Sequence, residues 1–109
     1  MVLAACASVP PPKEQLAVTE TELRNAPSAR AAPSASVELE RARAKLEQAR
    51  AAMKAEDNAR AQRLLAEAEV DARRAAARAN ADRADKALAE LRESIRALEQ
   101  EASRPPAAR

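Results

Sequence analysis

No glycine occurs among the 109 residues, and the seven prolines fall in three places: Pro10 to Pro12, Pro27 with Pro33, and Pro105 with Pro106. The chain therefore lacks the residues from which the tight turns of an antiparallel sheet are made. Alanine occupies 32 positions, and together with arginine and glutamate it favours helix across every long window between the prolines. The expected fold class is all-α: a short N-terminal helix, then an αα-hairpin whose second helix is long and protrudes as a coiled-coil-like arm.

The same composition limits the core. Beyond alanine there are 19 apolar residues and no Phe, Trp or Tyr, so a large globular interior cannot be assembled. Net charge is +2, from 19 basic and 17 acidic side chains. The densest basic stretch, Arg73, Arg74, Arg78 and Arg83, is interleaved with Asp71, Asp82 and Asp85. With no aromatic ring to stack a base, this reads as a solvated helix face, and no nucleic-acid partner is expected.

Helix positions follow from the prolines and the apolar spacing. A first helix is expected at about 13–25, started by Pro12 and stopped by Pro27, with Leu16 and Leu23 one heptad apart. Residues 26 to 36 read as a linker. The second helix, about 37–55, has Ser36 as its expected N-cap and Glu38 in its first turn. Its Leu39, Ala42, Leu46, Ala49 and Met53 recur at spacings of 3, 4, 3 and 4, which places them in one seam. Glu38/Arg41, Glu40/Arg43 and Glu47/Arg50 are i,i+3 pairs off that seam. Glu56-Asp57-Asn58 is the polar break at which the hairpin turns, with Asp57 or Asn58 capping the third helix.

The third helix is expected at about 59–102, with residues 103–109 as a disordered tail. At about 1.5 Å per residue it reaches roughly 65 Å, longer than the second helix can cover. Leu65, Ala68, Ala72, Ala75 and Ala79 form one stripe, small enough for close helix approach. A second stripe, Leu88, Leu91, Ile95 and Leu98, begins nine residues after Ala79; at about 100° per residue it falls on the opposite face, with Val70, Ala77, Ala81 and Ala84. This is the candidate interaction stripe. Three occupants suit it: the first helix folding back with Leu16 and Leu23, another coiled coil (a second copy or an envelope protein), or a lipid surface.

Cys6 is the lone cysteine and follows Leu3-Ala4-Ala5, the small-residue triplet that lipoprotein signal peptidase reads, so Cys6 is the expected lipidation site and residues 1–5 the remnant of a signal peptide. Diacylglycerol on the thiol and an acyl chain, such as palmitate, on the new amino terminus would together hold a membrane stably. Five residues before Cys6 are too few for a charged region and an apolar core, so a start upstream of Met1 is expected. Residues 6–12 then form the lipidated cysteine and a proline-stiffened spacer, and residues 13–102 the helical domain. If Met1 is instead the true start and Cys6 incidental, the chain is a soluble cytoplasmic coiled-coil regulator or scaffold.

No histidine, glycine loop or second cysteine is present, so no catalytic, cofactor or metal residues are assigned and no small-molecule substrate is expected. Glu67/Asp71 and Glu90/Glu93 read as solvated surface carboxylates beside arginines.

Taken with Leu3 to Cys6, the segment Pro10-Pro-Pro-Lys-Glu-Gln-Leu-Ala and the hairpin sequence beginning Val37-Glu-Leu-Glu-Arg-Ala-Arg-Ala-Lys-Leu, the chain resembles small proteobacterial envelope lipoproteins that carry the domain of unknown function numbered 4398. The resemblance covers about residues 3 to 102 and is best at Glu38-Leu39, Lys45-Leu46, and Leu64-Leu65 through Val70-Asp71-Ala72. Two departures stand out. The turn reads Ala55-Glu56-Asp57-Asn58 where relatives often have Gly-Asp-aromatic, and an extra Ser-Ala-Ser follows Pro33. The resemblance implies an envelope location without an activity, and Ala7 after Cys6, where aspartate is absent, implies the periplasmic face of the outer membrane.

Overall fold

The computed structural model describes residues 8–26 and 32–107; Leu3, Ala4, Ala5 and Cys6 lie outside them. Among the described residues the chain is all-α. Helix α1 spans Lys13–Asn25, α2 spans Ser36–Lys54, and α3 spans Asn58–Ser103. Two compact units divide it, the first ending at Ala79 and the second beginning at Asn80.

The proline-guided boundaries have local causes. Pro12 precedes the first residue of α1, and its carbonyl accepts the Leu16 N–H at 3.0 Å. At the other end Ala26 is extended, with φ −63° and ψ 145°, as a residue before proline must be. The start of α2 corrects the expected cap. Ser36 is already helical, and a 3-10 turn at Pro33–Ala35 leads into it. Ser36 Oγ donates to the Pro33 carbonyl at 2.8 Å, binding it to the turn behind in place of capping the helix ahead. Nor is the described part of the 26–36 segment a bare linker, because Ala32 and Ala35 are buried in the core.

The hairpin turn resolves the problem of turning without glycine. Glu56 takes φ 60°, the left-handed conformation that ends many helices. The Asp57 N–H donates to the Ala52 carbonyl at 2.9 Å and the Glu56 N–H to the Met53 carbonyl at 3.0 Å, the two bonds of a Schellman motif. Asp57 then caps α3, its Oδ1 accepting the Arg60 N–H at 3.2 Å. One residue thus closes α2 and opens α3. A left-handed conformation costs a side-chain-bearing residue about 1 to 2 kcal/mol. Glu56→Gly is accordingly expected to stabilise the protein by about 1 kcal/mol after the added flexibility of the unfolded chain is subtracted. A denaturation midpoint that stays put or falls would count against this turn geometry.

In the first unit, α1, α2 and the α3 segment up to Ala79 share one core. Leu23 from α1, Leu39, Ala42, Leu46 and Ala49 from α2, and Leu65, Ala72, Ala75 and Ala79 from α3 are buried together, with Leu16 packed against them. Alanine permits the close helix approach, and four leucines supply the bulk. Met53, expected at the end of the seam, is only half-buried. It lines an open cleft of about 570 Å³ with Val9, Pro10 and Pro11, beside the turn.

Ion pairs fix the register of these helices. Lys45 of α2 reaches Asp71 of α3 at 2.7 Å and Glu67 at 3.2 Å. Arg78 of α3 meets Glu38 of α2 at 2.9 Å. Arg50 joins Glu20 of α1 at 2.7 Å, and also pairs with Glu47. The Glu20 hydrogen bond holds the Arg50 pKa above its ordinary value. Two sequence expectations are corrected here. Glu38 is buried and bonds across to Arg78 in place of Arg41, and Asp71 is buried where a solvated carboxylate was expected; Arg73, Arg74 and Arg78 keep to the solvated face, where Arg73 and Arg78 pair with carboxylates. The i,i+3 pairs Glu40–Arg43, at 3.0 Å, and Glu47–Arg50 do form.

Candidate functional site

The second unit is built differently from the first. From Arg83 to the last described residue, Ala107, every residue is exposed, so this part of α3 buries no core of its own. Good helix formers sustain it: alanine, leucine, arginine, glutamate and lysine make up most of residues 83 to 101. Yet an isolated helix of this length is marginal in water, and most helices draw their stability from a covered apolar face.

The apolar face is present. Leu88, Leu91, Ile95 and Leu98 recur at spacings of 3, 4 and 3, which keeps them on one line of the helix. Their exposures are 44, 57, 45 and 69%, against 1% for Leu39 and 0% for Leu65 in the first unit. Ala84 continues the line toward the N-terminus. Leu16 and Leu23, the side chains that would have folded back onto it, are instead used in the core of the first unit. Val18, Val37 and Val70 are also exposed, but singly, which is ordinary for a protein surface.

The flanks of the stripe differ. Asp85, Arg92 and Glu99 follow one side at heptad spacing and alternate in charge, while Ala87 and Ser94 occupy the other. Helical spacing alone located the stripe; the alternating flank was equally legible in the sequence but lacked meaning until the line it borders was found uncovered.

The proposed anchor begins outside the described residues, but its attachment to the helices does not. Asn58 Nδ2, at the first residue of α3, donates to the Val9 carbonyl at 2.9 Å. The stretch before α1 is thus pinned beside the hairpin turn. Asn58 Oδ1 is buried there without a hydrogen-bond partner. Among the described residues no three His, Cys, Asp or Glu side chains converge to hold a metal ion, and no helix is long and apolar enough to cross a membrane.

A family model for a domain of unknown function, DUF4398, matches residues 14–91. No curated protein and no solved structure matches the chain.

Proposed function

The chain belongs to the DUF4398 family, and we propose that it is a lipid-anchored helical interaction module of the bacterial envelope, held by Cys6 on the periplasmic face of the outer membrane and working without catalysis or cofactor. The observation that carries the proposal is the uncovered line of Leu88, Leu91, Ile95 and Leu98, which pairs with another coiled coil. A surface that large and regular is a contact face, whereas scattered apolar residues need no partner.

The anchor rests on Cys6 behind Leu3-Ala4-Ala5. Three peptide units separate Cys6 from Val9, a reach of at most about 11 Å. Because Val9 is bonded to Asn58, a lipidated Cys6 brings the turn at Glu56 to Asn58 close to the bilayer surface. The spacer then acts as a short strap and fixes which end of the hairpin meets the lipid.

Expressed behind an export signal in a Gram-negative host, the protein is expected to partition into the outer membrane and to take up labelled palmitate, and Cys6→Ser to do neither. Equal partitioning of the two forms would remove the anchor and leave a soluble coil as the reading.

A further inference from the structure

We propose that the occupant of the stripe is a second copy of this chain, paired antiparallel and offset so that Leu88 of each copy faces Leu91 of the other. The inference deepens the contact-face proposal above and does not depend on the anchor. It rests on what each possible register does with the residues on the line and beside it.

In heptad terms Ala81, Leu88, Ile95 and Ala102 are a positions, and Ala84, Leu91 and Leu98 are d positions. A parallel, in-register pair sets every residue against itself. Ala81 and Ala84 would then make thin layers at one end, and the four large residues thick layers beyond, so the helices would have to splay. The offset antiparallel register evens this out: Ala81 faces Leu98, Ala84 faces Ile95, Leu88 faces Leu91, and symmetry repeats each contact. Small against large at both ends, with leucine on leucine at the centre, makes the seam symmetric about its middle and leaves no end built of alanine alone.

Charge selects the same register. In antiparallel pairs the e positions of the two helices lie side by side, and here they are Asp85, Arg92 and Glu99. The chosen offset brings Asp85 of each copy next to Arg92 of the other, two opposite-charge pairs related by the two-fold axis. Sliding by one heptad, to set Leu91 against Ile95, places Arg92 beside Arg92 and Asp85 beside Glu99. A parallel pair gives the flank nothing to meet, because e then faces Asn80, Ala87 and Ser94 at g. Neither Asp85 nor Arg92 forms an ion pair within the chain among the described residues, so both side chains are available.

The test is sedimentation of the full chain carrying Cys6→Ser, so that neither lipid nor disulfide contributes, across a concentration series. The parent is expected to be a monomer–dimer system whose helicity rises with concentration. Asp85→Arg alone and Arg92→Asp alone each set like charges together twice and should weaken the dimer about tenfold or more in Kd. Combining both substitutions restores the opposite pairs in swapped order and should return Kd to near the parental value. A parent that stays monomeric overturns self-pairing while leaving palmitate uptake at Cys6 untouched. A dimer indifferent to the single substitutions, or one that the combination fails to restore, overturns the register.

Discussion

Leu65→Ala is expected to cost about 3 kcal/mol, among the largest losses any single truncation here can cause. Leu65 is fully buried, and the other leucines of the core are Leu23, Leu39 and Leu46. The rest of the core is mostly alanine, and methyl groups cannot extend into the space that a missing isobutyl group leaves. Small domains hold only about 5 to 15 kcal/mol in total. For a unit of this size the melting temperature should fall by roughly 15 °C. Leu91→Ala makes the contrast, since it removes the same group from an exposed position and should leave the melt of dilute, monomeric protein within about 0.5 kcal/mol of the parent. Thermal melts followed by far-UV circular dichroism compare the three; a Leu65→Ala protein that melts with the parent would mean the core is misassigned.

Lys45→Met should have the second largest effect, about 2 kcal/mol of destabilisation. The Asp71 side chain is 6% exposed, and Lys45 Nζ at 2.7 Å is its principal partner; Arg74 Nη1 lies 3.9 Å away. Removing the ammonium strands a buried carboxylate, which commonly costs about 3 to 5 kcal/mol, reduced here because Arg74 can move in and Lys45 is partly in solvent. Asp71→Asn added to Lys45→Met takes away the stranded charge and should recover more than half of the loss. The pair also has a pH signature. The hydrogen bond to Asp71 is the main cause that holds the Lys45 pKa above its ordinary 10.5, against the opposing effect of burial. Its stabilisation is therefore complete below 10.5 and disappears as the pH climbs through the raised value. Chemical denaturation at neutral pH and in strong alkali separates these cases, and a double variant no more stable than Lys45→Met would refute the stranded-charge account.

How much of this was legible in the sequence depends on the kind of interaction. Heptad spacing located Leu39, Ala42, Leu46, Leu65, Ala72, Ala75 and Ala79 because burial on a helix is periodic. The prolines placed the ends of α1 for a reason local to one peptide unit. The ion pairs between helices were not legible. Nothing near Glu38 in the chain distinguishes Arg41, one turn away, from Arg78, forty residues on; only the packed hairpin brings Arg78 within 2.9 Å. Asp71 was misplaced for the same reason, since its partner Lys45 lies on another helix. Ser36 failed as a cap because Pro33 starts a 3-10 turn that already supplies the carbonyl its hydroxyl bonds. At the candidate contact face, periodicity found the stripe, and the buried place of Leu23 in the first unit removed one of its three proposed occupants.

Ordinary protein interiors suffer most when side chains are made smaller. Here that vulnerability is confined to a few leucines, since an alanine core has almost nothing left to lose. The sensitive direction is growth. At Ala42, Ala49, Ala75 and Ala79, each with no exposed surface, even a valine must push the packed helices apart. In a random mutagenesis screen the first unit should accordingly tolerate alanine-to-glycine or alanine-to-serine changes better than alanine-to-valine ones, the reverse of the bias toward large apolar residues that a bulky core enforces. Sequence drift in such a protein is held in check by steric exclusion along the seam, while the exposed second unit is constrained only by whatever it touches.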